Sequence, residues 1–191
     1  MKVEKIKTSE GKVLEGALIL KPSVHIDSRG YFLESWNKKI FNESVQQSVN
    51  FVLDTHSYSV SGVIRGLHYQ LKPSEQGKLI RCTRGRIFDV LVDIRKHSST
   101  FLQWAGVNLN CKDHHQIWIP YGFAHGFLTL SKESELLYKN TAFWSKENQR
   151  TISWKDKKIG IQWPKLKDKY VLSENDSTAL YIDQILDKDL I

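Results

Sequence analysis

Lys78-Leu79-Ile80-Arg81-Cys82-Thr83, then Arg84-Gly85, then Arg86-Ile87-Phe88-Asp89-Val90-Leu91-Val92-Asp93-Ile94 is the stretch that decides the class of fold. Two runs rich in β-branched and aromatic residues flank a glycine-containing break, which predicts two strands folded back on each other. Working outward, strand-like runs recur at 17–20, 31–36, 51–53, 63–69, 103–109, 116–119, 127–130 and 135–140. Many short strands at close spacing predict an all-β sandwich or barrel. Two stretches read as helical: 38–45, and 177–190, where Ile182, Ile185, Leu186 and Leu190 recur at helical spacing. Long helices alternating with strands are missing, which argues against a doubly wound α/β sheet.

The 191 residues fit one domain spanning 1–191, since domains run to roughly 100–200 residues. No apolar run approaches the roughly 20 residues that cross a bilayer, and Met1-Lys2-Val3-Glu4-Lys5 lacks the apolar core of a secretory signal. Two cysteines, Cys82 and Cys111, are too few for a disulfide scaffold, so a reducing, cytoplasmic setting is expected. Lys and Arg number 28 against 21 Asp and Glu, a net charge of +7, which favours an anionic partner. The basic residues are scattered, with Lys155-Asp156-Lys157-Lys158 about the densest cluster. A nucleic-acid footprint needs a basic stripe or a known binding motif. The expected partner is therefore a phosphorylated small molecule, with neither nucleic acid nor membrane.

Two signatures carry chemistry. The first is Gly62-Val63-Ile64-Arg65-Gly66-Leu67-His68-Tyr69-Gln70 followed by Glu75; the second is Pro120-Tyr121-Gly122-Phe123-Ala124-His125. Together they resemble the paired motifs of the cupin barrel, in which two His of the first motif, its Glu and the His of the second converge on a metal ion. Residues at i and i+2 share one face of a strand, which is why a metal site uses that spacing. Here Gln70 stands at the second His position, and an amide oxygen is a poor ligand for a divalent transition ion. Three ligands can suffice for a catalytic zinc, so His68, His125 and Glu75 remain an alternative set. The expectation is a barrel that keeps the fold and holds no metal.

A closer resemblance covers nearly the whole chain. Asp27-Ser28-Arg29-Gly30-Tyr31-Phe32-Leu33-Glu34, Arg65 to Gln70, Gln76-Gly77-Lys78-Leu79 and Phe88 to Arg95 resemble the dTDP-4-dehydrorhamnose 3,5-epimerase family. So do Ile117 to Phe127, Leu137-Tyr138-Lys139 and Leu172-Ser173-Glu174-Asn175-Asp176. The resemblance implies a cupin-like jelly-roll barrel with short peripheral helices and a C-terminal helix, working as a homodimer without a cofactor. The implied reaction inverts stereocentres beside the C4 ketone of a dTDP-linked sugar. It needs a base, an acid on the opposite face and a group that stabilises the enolate. By resemblance His68 is the base, Asp176 the carboxylate behind its ring, Tyr138 the acid and Lys78 the oxyanion stabiliser. Arg65, His125, Asp54 and Thr55 are implied substrate contacts, and Arg29 and Glu34 hold the nucleotide, across a dimer interface.

On the residues alone each position has a plainer reading. His68 reads as a satisfied core histidine, Tyr138 as core packing, Lys78 and Arg65 as solvated strand residues. Asp176, followed by Ser177, reads as the cap of the final helix. The chain also departs from the family pattern. Leu53-Asp54-Thr55-His56-Ser57 stands where the family has Gln-Asp-Asn-His-Ser, Phe143-Trp144 where it has a tyrosine pair, Gln149 at an acidic position and Asn175 at a lysine. Phe143 and Trp144 keep flat faces able to stack on a base.

Overall fold

The apolar residues close into a barrel of two sheets. The structure, a computed structural model, describes residues 1–167, 169–185 and 187–191. In chain order the strands are β1 (Lys2–Lys7), β2 (Val13–Lys21), β3 (His25–Asp27), β4 (Gly30–Phe32), β5 (Leu53–Val60), β6 (Ile64–Gln70) and β7 (Lys78–Arg84). They continue as β8 (Arg86–Asp93), β9 (Trp104–Asn110), β10 (Gln116–Ile119), β11 (Phe123–Thr129), β12 (Glu133–Asn140) and β13 (Gln149–Thr151). One sheet runs β1-β2-β10-β7-β12-β5, the other β13-β6-β11-β8-β9, and β3-β4 form a separate two-stranded ribbon. From β5 to β13 consecutive strands alternate between the sheets except at the β8–β9 hairpin. This is the antiparallel, cupin-like jelly roll.

The predicted fold-back of β7 onto β8 does not occur. β7 pairs with β10 and β12, whereas β8 pairs with β11 and β9. Gly85 carries the chain over the barrel edge instead. It sits at φ +74°, and a Cβ there would lie 2.0 Å from the Glu133 carbonyl oxygen. Local sequence could not tell a hairpin from this crossover, because two strand-forming runs around a glycine fit either connection. In β8, Ile87 and Leu91 enter the core between the sheets, together with Ile80, Cys82, Ile117, Phe127 and Leu136. Val90 and Val92 face the other way, under a second cluster that includes Ile152, Ile159 and Ile182.

Helix α1 (Lys38–Val45) forms where the sequence predicts it, with Asn37 Oδ1 accepting the Ile40 N–H at 3.2 Å and Phe41 and Val45 buried. The predicted C-terminal helix over 177–190 does not form. A single α-turn, α2 (Glu174–Ser177), is followed by 3-10 turns at Ile182–Gln184 and Asp187–Asp189. The segment's backbone bonds go to the barrel. Ser153 N–H donates to Leu180 O at 2.8 Å, Ile182 N–H to Asp156 Oδ2 at 2.7 Å, and Lys96 N–H to Ile191 O at 2.6 Å. The apolar spacing was a packing signal without being a helical one. Ile182, Ile185 and Leu190 all join the cluster on the outer face of the five-stranded sheet. Leu186 lies outside the described residues.

Asp156 is the latch of this C-terminal strap. Its buried carboxylate accepts the N–H groups of Lys158 and Ile159 as well as that of Ile182. Removing an acceptor that leaves buried donors unpaired costs about 1–3 kcal/mol per group. Asp156→Ala is therefore expected to lower unfolding stability in urea by about 2–4 kcal/mol. A loss within about 0.5 kcal/mol, as for an ordinary surface change, would refute the latch.

Candidate active site

β6 and β11 lie side by side in the five-stranded sheet, and His68 is the direct partner of His125. Two residues further along β11, Phe127 pairs with Arg65, three residues back along β6. The extra residue is a bulge. It re-phases the strand, so that Arg65 and His68, which a regular strand would send to opposite faces, both line one cavity. Gly66 makes the bulge possible. Its φ is +119°, and a Cβ would stand 2.5 Å from Gly126 Cα and 2.6 Å from the His125 carbonyl oxygen.

The facing sheet supplies the other wall. β12 pairs with β7 so that Tyr138 lies opposite Ile80 and Asn140 opposite Lys78. On the far side of β12, Thr55 of β5 pairs with Tyr138. Arg65, His68, Thr55, Lys78, His125 and Tyr138 enclose a cavity of about 240 Å3, with Leu53 and Phe127 as apolar lining.

His68 is backed by Asp176. The carboxylate is buried on α2, and its Oδ1 lies 2.6 Å from His68 Nε2. An ionised carboxylate only accepts, so Nε2 carries the hydrogen and the lone pair left for chemistry is on Nδ1. The plainer reading of Asp176 as a helix cap is overturned. Ser173 caps α2, its Oγ accepting the Asp176 N–H at 3.1 Å, and this directs the Asp176 side chain inward. A second histidine–carboxylate pair lies deeper: His125 Nε2 is 2.9 and 3.1 Å from the two oxygens of Asp89.

The remaining groups are tuned by burial. Desolvation pushes the Lys78 ammonium down to about 8, opposed by the negative charge of Asp89. Desolvation also makes the Tyr138 phenol a weaker acid than usual, with the Asp89 charge adding to the effect and Ser57, 3.3 Å from its hydroxyl, opposing it. The Tyr138 ring meets His125 edge-on, with centroids 6.4 Å apart. Arg65 is aimed by its donors, Nε to Ser59 Oγ at 3.1 Å and a terminal nitrogen to the Tyr58 carbonyl at 3.0 Å. One wall thus offers a histidine with a free lone pair, and the other an ammonium and a phenol. That arrangement can take a proton from carbon and return one from the opposite side.

Three expected contacts are elsewhere. Asp54 faces away from the cavity and pairs with Lys139 at 2.9 Å. Arg29, at the tip of the β3–β4 ribbon, pairs with Asp27 at 2.7 Å and is 88% exposed. Glu34 is exposed and accepts from the Asn37 amide at 3.3 Å. Of the positions that depart from the family pattern, Leu53, Thr55, Trp144 and Gln149 line the cavity, and the Trp144 indole N–H donates to Gln149 Oε1. The alternative metal set does not assemble. Glu75 pairs with Lys72, and the Gln70 amide is engaged by Ser74 O, Phe143 O and Ser145 N–H. Among the described residues, no three His, Cys, Asp or Glu side chains are placed to hold a metal ion.

Sequence reasoning missed Asp89 as a site residue. Its signal is visible in retrospect: one acid inside Ile87-Phe88-Asp89-Val90-Leu91-Val92, a run apolar on both faces, has no exposed side to occupy and must be paired inside.

Comparison with known proteins places the geometry. Residues 12–184 match the family model described as dTDP-4-dehydrorhamnose 3,5-epimerase. The enzyme of that name from Shigella flexneri is 56% identical over 147 residues, covering 77% of this chain and 81% of its own. That from Salmonella typhimurium is 50% identical over 169 residues, covering 88% and 92%. Among solved structures, the dTDP-6-deoxy-D-glucose-3,5-epimerase of Legionella pneumophila, in complex with dTDP-4-keto-L-rhamnose, is similar at a TM-score of 0.91 and 39% identity, covering 99% of this chain and 97% of its own.

The bulge in β6 is testable on its own. Gly66→Ala places a methyl group inside the neighbouring backbone at a left-handed φ, so a loss of at least about 2 kcal/mol in urea unfolding is expected. An alanine variant as stable as the parent would show that the bulge has no need of glycine.

Proposed function

The chain belongs to the dTDP-4-dehydrorhamnose 3,5-epimerase family, and on that premise we propose that it converts dTDP-4-dehydro-6-deoxy-D-glucose into dTDP-4-dehydro-L-rhamnose by proton transfer across the cavity between its sheets. It is an isomerase acting on a carbohydrate. The observation that carries the proton-transfer assignment is the placement of His68, backed by Asp176 at 2.6 Å, and Tyr138 on facing walls of one cavity. The product complex of the Legionella relative supports the choice of ligand.

The C4 ketone acidifies the hydrogens on its neighbouring carbons. His68 Nδ1 takes such a hydrogen from one face, the carbon–hydrogen electron pair becomes the enolate π bond, and negative charge collects on the C4 oxygen. The Lys78 ammonium bonds that oxygen, and Asp176 stabilises the imidazolium. Tyr138 then delivers a proton to the other face of the same carbon as the ketone re-forms. One C–H bond breaks and one forms, with no net change of oxidation state. The two groups regain their starting protonation through solvent, so solvent hydrogen enters the product. Arg65, His125 and Thr55 contact the substrate, and the cationic side chains suit its diphosphate.

Arg29 and Glu34 act on the cavity of a second copy in a homodimer. Ile26, Tyr31 and Phe32 on the same ribbon are 81%, 59% and 69% exposed, apolar surface that a second copy would cover. A cytoplasmic setting is in keeping with the free thiols Cys82 and Cys111.

The test is incubation with dTDP-4-dehydro-6-deoxy-D-glucose in D2O, followed by NMR. Deuterium is expected at both carbons flanking the ketone, and incorporation at one alone would reduce the reading to a single-site epimerase. His68→Ala should slow exchange by roughly 10²–10⁴-fold, and retained exchange would remove His68 as the base. Lys78 acts while charged, so kcat/KM should fall as pH rises through about 8. Lys78→Met should lose that alkaline limb together with roughly 10²–10³-fold in rate, and a profile unchanged by the substitution would dismiss Lys78 as the oxyanion partner.

A further inference from the structure

Asp89 has no exposed surface and sits on the inner face of β8, between Ile87 and Leu91, in the core that both sheets share. Its own strand neighbours, Phe127 on β11 and Val107 on β9, bring no charge. Among the described residues the side chain that bonds it is His125, through Nε2 to both carboxylate oxygens, and no lysine or arginine makes a salt bridge to it. The titratable groups its charge reaches come from three strands: Lys78 and Cys82 of β7, Tyr138 of β12 and His125 of β11. A buried carboxylate with so little compensation costs stability, and an apolar residue would fill this stripe at lower cost. Its contribution is therefore to be sought in the cavity.

We propose that Asp89 is a positioning residue for the epimerisation: it fixes the His125 ring by its two-oxygen contact and, as a buried carboxylate of β8 in the core between the sheets, supplies the counter-charge for the Lys78 ammonium. The inference rests on the epimerase reading above. Burial draws the Lys78 proton off, and Asp89 is the group that opposes it. For Tyr138 the same charge disfavours the phenolate. The buried Asp89 thus opposes loss of the Lys78 proton and adds to the burial that keeps Tyr138 protonated, while Asp176 supports the base.

The experiment compares the full-length protein with Asp89→Asn, a near-isosteric loss of charge. In ¹³C-dimethyl-lysine NMR, with Lys78 assigned by its loss in Lys78→Arg, the Lys78 signal of Asp89→Asn should titrate at lower pH than in the parent. The alkaline limb of kcat/KM should move the same way, by roughly one pH unit. At pH 7.5 the fall in kcat should reach roughly ten- to a hundredfold, with the acid limb unmoved. In a Lys78→Arg background, where the cation no longer titrates, Asp89→Asn should shift no limb. A Lys78 signal that titrates alike in both proteins, or a rate loss equal at every pH, would overturn the proposal. Should Asp89→Asn not fold, Asp89→Glu keeps the charge but displaces it. Lys78 should then titrate near its parental pH while kcat falls through misplacement of His125, and a displaced titration with parental kcat would count against the assignment. The NMR comparison needs no turnover. A parent protein inert toward the substrate would defeat the epimerase reading, while the lysine titration would still decide what Asp89 does.

Discussion

The contact between His68 Nε2 and Asp176 Oδ1 is the constraint on which the site depends, because its partners come from structures with little else in common. His68 is on a central strand of a sheet. Asp176 is on a four-residue turn, far shorter than a helix that persists in water on its own. Its position has to be imposed from both ends. Before it, Val171 exchanges backbone bonds with Gly62 and Ile64 at 2.9 Å, and after it Leu180 accepts the Ser153 N–H. The strap from 171 to 191 is thus a device for delivering one carboxylate, and the apolar outer face of the five-stranded sheet is where it adheres. This explains why β8 is apolar on both faces. One serves the barrel core and the other serves the strap.

Placing the base on one sheet and the donors on the other also resolves an electrostatic conflict. Side by side, an acid and a base of matched strength would neutralise each other. Separated by a cavity wide enough for a sugar ring, each keeps the protonation its own surroundings favour. Burial draws the Lys78 ammonium toward losing its proton, and the negative charge of Asp89 opposes that loss. The phenol of Tyr138 is held protonated by burial and by the same charge. On the proposed mechanism the cavity therefore meets the ketone with donors on one side and a lone pair on the other before any ligand arrives, which is the preorganisation that enolate chemistry requires.

How much of this was legible in the sequence follows from what each signal is made of. Helix α1 was, because Asn37 caps it and Phe41 and Val45 lie on one face. β10 was, as a short apolar run between turns. β5 was seen only at its first residue, since Leu53–Val60 is a polar edge strand that buries Ser59 and almost nothing else. The β7–β8 pairing and the final helix failed for a shared reason: sequence proximity and apolar spacing report burial, not which backbone receives the hydrogen bonds. The proposed proton-transfer set was reached through resemblance, because His68, Tyr138 and Lys78 each have a plainer reading on the residues alone. Arg29, Glu34 and Asp54 are engaged outside the cavity of their own chain, which the motifs that carry them do not reveal.

The residues that depart from the family pattern are distributed unevenly over the site, and proton transfer gives a reason. A base must meet a carbon-bound hydrogen within a few tenths of an ångström, and each group's proton affinity depends on its neighbours, so on the proposed mechanism His68, Asp176, Lys78, Tyr138 and Arg65 form a set in which one change alters the others. Leu53, Thr55, Trp144 and Gln149 line the same cavity, and their replacements change its hydrogen-bonding and stacking surface, Leu53 by removing an amide. The pairing of the Trp144 indole with Gln149 illustrates this. An indole nitrogen only donates, so the Gln149 amide must turn its oxygen toward Trp144 and its NH2 group away, a donor where a carboxylate would offer an acceptor. Such a change alters which ligand atoms are welcome at that end of the cavity. On the proposed mechanism, proton transfer is set by the buried charges, while these lining positions adjust which ligand the cavity accepts.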